Sequence, residues 1–398
     1  MHVPIAHVTR GALIESVHFG SVAVVDESAK TVAWAGDPGT RLFFRSSAKP
    51  FQAMPLVLSG AADAFGFTTE ELALSAASHD GTAHHQAVVS SMLAKAGTGE
   101  SDLRCGYSPP VDGSEKAKVE LGLDPPTQIK CECSGEHAGM LAACQHRGWP
   151  TATYHTPDHP LQREVLATIA AVTGIPDSAL ILATDGCGIP TFGAPLHAFA
   201  RAYAVLADPH HARWIGPPAL RDALLRVRSA MTAHPEMIAG EGNLDTDLMR
   251  LTDGHIVAKL GAEGLLCLAI PEHQLGIAIT DAGGSPRGLG AATIAVLEQL
   301  ELVEASVLAA LRKAHSGQVK NFAGDPVGEI RSDLSLLNAD SWQVQPGSRN
   351  VADSGRAKRN DRHKPPPSRV HAPRPCRHPA STGLAAPPTV AKTQTSGH

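Results

Sequence analysis

The chain has 398 residues, 43% of them hydrophobic, which is enough for a large buried core in one large domain or in several smaller ones. The net charge of −5 is unevenly distributed, because residues 343–398 hold ten Lys and Arg against two Asp and Glu, a net +8, which leaves −13 on residues 1–342. This acidic part is not expected to bind nucleic acid, and no stretch approaches the roughly 18 apolar residues that a membrane span needs.

The N-terminus and the cysteines both indicate a cytoplasmic protein. The segment Met1-His2-Val3-Pro4 lacks the charged head and the apolar run of a secretion signal. Seven cysteines, an odd number spread over a long chain, favour free thiols or metal ligands in a reducing compartment over a disulfide framework. We therefore expect a cytoplasmic enzyme that is not bound to a membrane.

The first predicted elements are strands. Val22–Val25, Thr31–Ala35 and Arg41–Phe44 are predicted as a three-stranded meander, because turn residues separate the three runs. A helix to about Leu58 follows directly, and Gly60 is expected to end it.

Helices dominate the middle of the chain. A capping box at Thr68 and Glu71 is expected to open a short helix, and a buried strand is predicted at Leu180–Ala183. The other predicted helices run to about Lys95, from Ser134 to about His146, and over residues 160–172, 195–207 and 218–234.

Strands return in the last third of the chain, at residues 256–259, 265–270, 277–280 and 327–330, with helices near residues 289–300 and 307–314 between them. Strands at both ends of the chain therefore bracket a helical middle. This order predicts an α+β fold, in which N-terminal and C-terminal strands form one antiparallel sheet that carries the helices.

The composition changes after about Ser341, where Pro, Arg, Ser and His dominate and no aromatic residue follows Trp342. Such a segment cannot bury enough apolar surface to become ordered. We predict a disordered basic Pro/Arg-rich tail over residues 333–398, after a catalytic domain at residues 1–332. The run Arg356-Ala357-Lys358-Arg359 could contact nucleic acid or a membrane, but a solvated tail is the simpler interpretation.

Ser46 and Lys49 have the spacing of an activated nucleophile. Residues three apart on a helix lie on the same face, so the amine could accept the hydroxyl proton, provided that the amine is itself uncharged. Burial and neighbouring cations favour that uncharged form. Ser-x-x-Lys also occurs by chance, and the simpler interpretation is a helix start with a solvated lysine.

Ser78 and Lys259 are further candidates. Ser78 lies at a predicted helix end, where a turn could direct its hydroxyl into a cleft, although ordinary helix capping explains it as well. Lys259 lies on a predicted strand close to Gly261 and Gly264. It could lean over a neighbouring site from there, although most lysines in such positions are edge charges.

Thiols and carboxylates cluster at two places. Cys133, Glu136 and His137 lie at the start of a predicted helix, where thiolates are favoured, and thiolates are good zinc ligands. Cys187 lies between two glycines, in a segment that could also be a plain turn. If Cys133 and Cys187 meet in space, they and a third group, Glu136 or His137, would bind zinc.

Together these segments resemble the bacterial asparaginase II family, of the type found in rhizobia, in the same order over about residues 5–332. The fold of that family is similar to that of serine β-lactamases and glutaminases, which agrees with the α+β prediction. The resemblance rests on Arg45-Ser46-x-x-Lys49, Ser78-His79-x-Gly81, Cys133-Ser134-Gly135-x-His137-Ala138-Gly139-Met140-Leu141, Asp185-Gly186-Cys187-Gly188, Ala233-His234-Pro235-Glu236-Met237 with Gly240-x-Gly242-x-x-Asp245-Thr246, and Lys259-x-Gly261-x-Glu263-Gly264.

The resemblance implies hydrolysis of L-asparagine to L-aspartate and ammonia through a serine acyl-enzyme. Ser46 would attack the side-chain amide carbon, with its own backbone N–H as an oxyanion donor, and Lys49 would be the base. Ser78 would relay or hold the proton, with Lys259 as its own partner. The alternatives are a related amidohydrolase acting on glutamine or a β-lactam-like amide, and a catalytically weakened, zinc-containing amino-acid-binding protein.

The same resemblance implies a substrate site and a zinc site. Asp185 suits the α-ammonium and Arg45 the α-carboxylate of the substrate. The residues that would anchor its charged ends are Arg45, His137 and Asp185, and those that would hold zinc are Cys133, Glu136 and Cys187.

Two residues depart from the pattern of the family. Glu136 stands where a lysine is usual, and an anion there should raise the pKa of Lys49 and slow it as a base. Asp80 stands where a small or amide residue is more common. The tail has no counterpart in the family, and the resemblance also implies a homodimer.

Overall fold

The strands of this protein form two antiparallel sheets in a computed structural model, which describes residues 1–211 and 216–339. The strands are β1 (Val3–Arg10), β2 (Leu13–Val25), β3 (Thr31–Ala35), β4 (Arg41–Phe43), β5 (Ile181–Thr184), β6 (Pro190–Pro195), β7 (Val257–Gly261), β8 (Leu265–Ile270), β9 (Leu275–Asp281), β10 (Gln318–Lys320), β11 (Pro326–Arg331) and β12 (Leu337–Asn338).

The larger sheet joins both ends of the chain. Its strand order is β10-β11-β1-β2-β9-β8-β7, with β3 paired to β2 and β12 paired to β3. His7 on β1 lies opposite Arg331 on β11, and Val22 on β2 lies opposite Ile279 on β9. The smaller sheet has the order β4-β6-β5.

Helices fill the chain between these strands and cover the larger sheet. They are α1 (Lys49–Gln52), α2 (Met54–Leu58), α3 (Ala61–Ala64), α4 (Thr69–Leu74), α5 (Ala83–Lys95), α6 (Gly113–Glu120), α7 (Ser134–Arg147), α8 (Pro160–Thr173), α9 (Leu196–Ala207), α10 (Pro218–Ala233), α11 (Pro235–Ile238), α12 (Leu244–Leu251), α13 (Leu289–Gln299) and α14 (Ala305–His315).

The centre of the larger sheet is covered on both faces. Every residue of β8 and β9 is buried, which a strand achieves only when both of its faces are packed. Helices α9 and α13 both pack against β9. At Gly276 the backbone of α9 comes so close that a Cβ would lie 1.8 Å from the carbonyl oxygen of Ala200, so only glycine fits there.

The α+β prediction is confirmed, since strands from both ends of the chain share one antiparallel sheet around a helical middle. Two strand predictions are wrong in detail. Arg41–Phe43 pairs with β6 in the smaller sheet and does not join the predicted meander. The strand predicted as buried at Leu180–Ala183 is β5, whose four residues are all exposed because it is an edge strand of the smaller sheet.

The helix predicted to reach Leu58 is interrupted at Ala53, between α1 and α2. Pro55 lies in the first turn of α2, where its missing N–H leaves no helical bond unmade. The capping box of Thr68 and Glu71 is confirmed, with both reciprocal hydrogen bonds at the start of α4.

Residues beyond the predicted boundary at residue 332 pack against the rest of the fold. Leu334 is buried, and Leu337 pairs with Trp34 on β3. The segment after Ser332 is thus held by burial of Leu334 and by strand pairing of Leu337. The rest of the predicted tail lies outside the described residues. Every helix among the described residues is too short or too polar to span a bilayer.

Candidate active site

The predicted nucleophile lies on a tightly held turn between β4 and α1. Arg45–Ala48 form a short 3₁₀ helix, and Arg45 has a φ of 49°, a left-handed conformation that is costly for a residue other than glycine. The hydroxyl of Tyr203 donates to the carbonyl oxygen of Ser47 at 2.9 Å, and the hydroxyl of Ser47 donates to the carbonyl oxygen of Lys259 at 3.0 Å. With Ser47 buried, the half-buried Ser46 is the serine that this turn presents.

The amine of Lys49 is buried among acceptors. Its Nζ donates to the carbonyl oxygen of Ala77 at 2.7 Å, to Oγ of Ser78 at 2.9 Å and to Sγ of Cys133 at 3.2 Å. Oε2 of Glu136 lies 3.5 Å away. The hydroxyl that this amine contacts is therefore that of Ser78, and among the described residues Ser46 makes no side-chain hydrogen bond with it.

A base for Ser46 needs an uncharged amine, and the neighbours of Lys49 oppose that form. Burial lowers the pKa of Lys49, but the negative charges that Cys133 and Glu136 can carry raise it by more, so the pKa lies above its ordinary value. The resting amine is an ammonium group. The acceptors around it come from the segments of Ala77, Ser78, Cys133 and Glu136.

Lys259 is also buried and does not pair with Ser78. Its Nζ donates to the carbonyl oxygen of Leu260 at 2.9 Å and lies 3.7 Å from Oδ2 of Asp245. Burial lowers the pKa of Lys259, and the nearby Asp245 opposes that shift. Asp245 was not among the predicted site residues, although its carboxylate is the anion next to this lysine.

Arg45 and Asp185 pair with each other. Nε and Nη2 of Arg45 donate to the carboxylate of Asp185 at 2.9 to 3.2 Å, a bidentate arrangement that raises the pKa of Arg45. The two residues were expected to anchor opposite ends of a substrate. In this structure their charges neutralise each other, so a substrate must separate them or bind beside them.

Cys133, Glu136 and Cys187 come together as a candidate metal centre. Their ligand atoms all lie within 4.8 Å of one another, and all three residues are buried. Neither carboxylate oxygen of Glu136 has a hydrogen-bond partner among the described residues, and burial raises its pKa to about 7. Two thiols and a carboxylate without hydrogen-bond partners are a donor set that fits zinc.

Two more cysteines extend this cluster. The thiol of Cys131 lies beside those of Cys105 and Cys133. The contact with Cys105 and burial raise the pKa of Cys131 to about 12, although the contact with Cys133 opposes that shift. Neither Cys105 nor Cys131 was among the predicted site residues. The spacing Cys131-x-Cys133 was the available signal for Cys131, whereas nothing in the sequence pointed to Cys105.

Asp80 is a half-buried carboxylate in the segment that follows Ser78. Asn243 donates a hydrogen bond to its Oδ2 at 2.9 Å, and a Cβ on Gly240 would lie 2.2 Å from that atom. Burial raises the pKa of Asp80 to about 6, and the nearby charge of Asp245 adds to the shift. Its ionised form is therefore less stable in the fold than in water.

Replacing Asp80 with asparagine should stabilise the protein at neutral pH. Since the pKa is about 6 in the fold and 3.8 for the free side chain, folding is penalised as pH rises through this window. We expect Asp80→Asn to raise the free energy of unfolding by about 1 kcal/mol at about pH 8, after discounting for partial exposure, and to have little effect below about pH 4. Urea denaturation at both pH values measures this, with the exposed Asp158→Asn as a control. An equal effect at both pH values would contradict the linkage.

The chain matches a protein-family model described as L-asparaginase II over residues 6–332. No curated protein sequence matches it. Among solved structures it is similar to Mglu in its native form, with 17% identity, a TM-score of 0.33, and coverage of 72% of this chain and 62% of that one. It is also similar to a β-lactamase from Mycobacterium bovis, with 13% identity, a TM-score of 0.38, and coverage of 70% of this chain and 94% of that one.

The chain thus spans less than two thirds of the length of Mglu, and the two structural likenesses are distant. The family model, in contrast, spans the described domain from β1 to the residue after β11. It includes Ser46, Lys49 and Ser78 as well as the three candidate metal ligands. The protein is therefore a member of the L-asparaginase II family, a family of amidohydrolases.

Proposed function

We propose that this protein hydrolyses L-asparagine to L-aspartate and ammonia through an acyl-enzyme on Ser46. The observation that carries the proposal is the 2.9 Å contact between Nζ of Lys49 and Oγ of Ser78. Lys49 lies three residues after Ser46 in the chain. A buried amine that is hydrogen-bonded to a hydroxyl is the arrangement that moves a serine proton. The match to the L-asparaginase II model favours the side-chain amide of asparagine as the substrate.

The proposed reaction begins with attack of Ser46 Oγ on the amide carbon. Its proton passes to Ser78, which gives its own proton to Lys49, because Ser78 is the hydroxyl that the amine contacts. The resting ammonium must therefore first pass a proton to an acceptor, and the carboxylate of Glu136, 3.5 Å away, is in position to take it. Lys49 then returns a proton to the leaving nitrogen, so that ammonia departs, and water releases L-aspartate from the ester. The carboxylate of Asp245 would balance the positive charge of Lys259 beside the site.

Arg45 and Asp185 would open their mutual ion pair to take the substrate. The α-carboxylate would bind to the guanidinium and the α-ammonium to the carboxylate, so each charge would exchange one partner for another. This exchange favours an amino acid over an uncharged amide, because a neutral ligand could not replace the broken pair.

Cys133, Glu136 and Cys187 would hold zinc, since their donor atoms converge and the oxygens of Glu136 have no hydrogen-bond partner among the described residues. When bound, zinc would supply a coordination position for an oxygen atom of the substrate. The residues around it would orient the amino acid beside Ser46. A cytoplasmic location and a homodimer remain predictions.

The proposal predicts that the purified protein releases ammonia and L-aspartate in equal amounts from L-asparagine. Hydroxylamine should divert the acyl-enzyme, so that aspartyl hydroxamate replaces part of the L-aspartate while ammonia release continues. L-glutamine and a chromogenic β-lactam serve as comparison substrates. Faster turnover of either would favour a related amidohydrolase. Binding of L-asparagine without ammonia release would favour the amino-acid-binding protein.

A further inference from the structure

His137 has one buried ring nitrogen without a partner. The residue lies in the first turn of α7 and is fully buried. Its Nδ1 lies 2.6 Å from the hydroxyl oxygen of Tyr154, whereas its Nε2 has no hydrogen-bond partner among the described residues. Which nitrogen carries the hydrogen decides whether the free position is a donor or an acceptor.

The contacts of Tyr154 settle this question. The backbone N–H of Arg104 donates to the hydroxyl oxygen of Tyr154 at 2.9 Å, and a backbone N–H can only donate. The phenolic hydrogen is therefore free to point at its one other partner among the described residues, Nδ1 of His137. With Nδ1 as the acceptor the phenolic hydrogen is paired, whereas a hydrogen on Nδ1 would leave it without an acceptor among the described residues. We therefore assign the hydrogen of the neutral ring to Nε2.

A comparison with His79 shows what a structurally satisfied histidine looks like here. Nδ1 of His79 accepts from the backbone N–H of Gly81 at 3.1 Å, so its Nε2 carries the hydrogen and donates to Oγ of Ser134 at 2.9 Å. That hydroxyl in turn donates to the carbonyl oxygen of Ile129. His79 thus uses both nitrogens within the fold, whereas His137 leaves a buried donor unpaired.

The unpaired N–H lies among the residues of the candidate site. The backbone N–H of His137 donates to the carbonyl oxygen of Cys133, and the ring follows Glu136 directly in the chain. Lys49 is close enough for its charge to act on the ring. A buried donor without an acceptor is costly, so a native protein pairs it with an ordered water or a bound ligand.

We propose that Tyr154 is a positioning residue that holds His137 in its Nε2–H form, so that this N–H donates to an oxygen of the substrate α-carboxylate. The inference rests on the proposed function for the identity of the ligand. Arg45, the other donor expected for a carboxylate, is held by Asp185 in the unliganded site, whereas Nε2 of His137 has no partner among the described residues. The phenol acts only through the ring and touches no reacting atom.

The tautomer can be read directly by nitrogen NMR of the wild-type protein labelled with ¹⁵N-histidine. We expect Nε2 of His137 to have the shift of a protonated nitrogen and Nδ1 that of an unprotonated one. Tyr154→Phe removes the phenolic hydrogen, and we expect a mixture of the two tautomers in that variant. The signal is assigned by its loss in His137→Gln.

Kinetics test what the tautomer does. Tyr154→Phe should raise KM for L-asparagine about tenfold, equivalent to one hydrogen bond, and should leave kcat within about threefold. His137→Gln places an amide N–H near the position of Nε2 without needing the phenol. In that background Tyr154→Phe should change KM by less than about twofold. Tyr107→Phe, which alters a tyrosine that is 42% exposed, is the control and should change neither constant.

The outcomes separate the inference from the proposed function. A wild-type spectrum with the hydrogen on Nδ1 would overturn the inference, whatever the substrate is and whether or not Tyr154→Phe folds. Equal effects of Tyr154→Phe with and without His137→Gln would also overturn it, because they would indicate a purely structural role. An Nε2–H signal in a protein that neither binds nor hydrolyses L-asparagine would instead refute the proposed function.

Discussion

Replacing Ser46 with alanine should reduce ammonia release from L-asparagine by at least about a thousandfold, because removal of a nucleophile leaves only the weak catalysis by the rest of the site. The turn that carries Ser46 supports this assignment. It holds the neighbouring Ser47 buried against the carbonyl oxygen of Lys259 and leaves Ser46 half-buried. Because alanine preserves that backbone, the loss should appear in kcat and not in folding.

Lys49 should act with Ser46 as one unit. Lys49→Met keeps the length of the side chain and removes the amine that contacts Ser78, and we expect a loss nearly as large as that of Ser46→Ala. The double variant should be no worse than Ser46→Ala alone, since groups that serve one step are strongly non-additive. Thermal unfolding must accompany the assay, because Lys49→Met also leaves the carboxylate of Glu136 without its neighbouring cation.

The matched control is Ser90→Ala on α5, whose hydroxyl is exposed and donates only within its own helix. It should retain full activity. If Ser46→Ala kept more than a tenth of the wild-type rate, the nucleophile would have to be a different hydroxyl. Ser78 would then be the first candidate, because it already contacts the amine.

The sequence predicted the order of helices and strands because those signals are local. The capping box at Thr68 depends on residues a few positions apart, and it is found. The partner of β4 was not predictable in the same way. Arg41–Phe43 has the same local pattern whether it pairs with β3 or with β6, and the choice depends on a segment far along the chain.

Contacts between distant segments also limited what could be predicted of the site. Ser46, Lys49, Cys133 and Cys187 were identified from residue types and spacing, and the last two do converge. The direction of the Lys49 amine depends on Ala77 and Cys133, which come from two other segments. The pairing of Arg45 with Asp185 likewise requires the smaller sheet to bring their segments together. Spacing within one segment carries no information about such contacts.

The second large effect is expected for zinc binding at the candidate metal centre. Replacing Cys187 with serine should lower zinc affinity by at least about a hundredfold. Residues that only hydrogen-bond to a metal ligand change metal affinity by about 10- to 100-fold when they are replaced, and loss of a ligand itself should cost more. Equilibrium dialysis against a chromophoric chelator, followed by elemental analysis, measures the change. Cys144→Ser is the matched control, since its thiol is equally buried on α7 but is not part of the cluster.

The charge of the cluster explains why zinc should bind despite the buried thiols. The contact with Cys131 and burial raise the pKa of Cys133 to about 12, and the contact with Cys133 and burial raise that of Cys187, so each thiol must release a proton to bind metal. Zinc affinity should therefore fall as pH falls.

With both protons lost, two thiolates and the carboxylate of Glu136 carry −3, which zinc and the ammonium of Lys49 balance to zero. A lysine ammonium in place of Glu136 would leave two positive charges in excess, so Glu136→Lys should weaken zinc binding. Unchanged zinc content in both Cys187→Ser and Glu136→Lys would show that the metal is not held here.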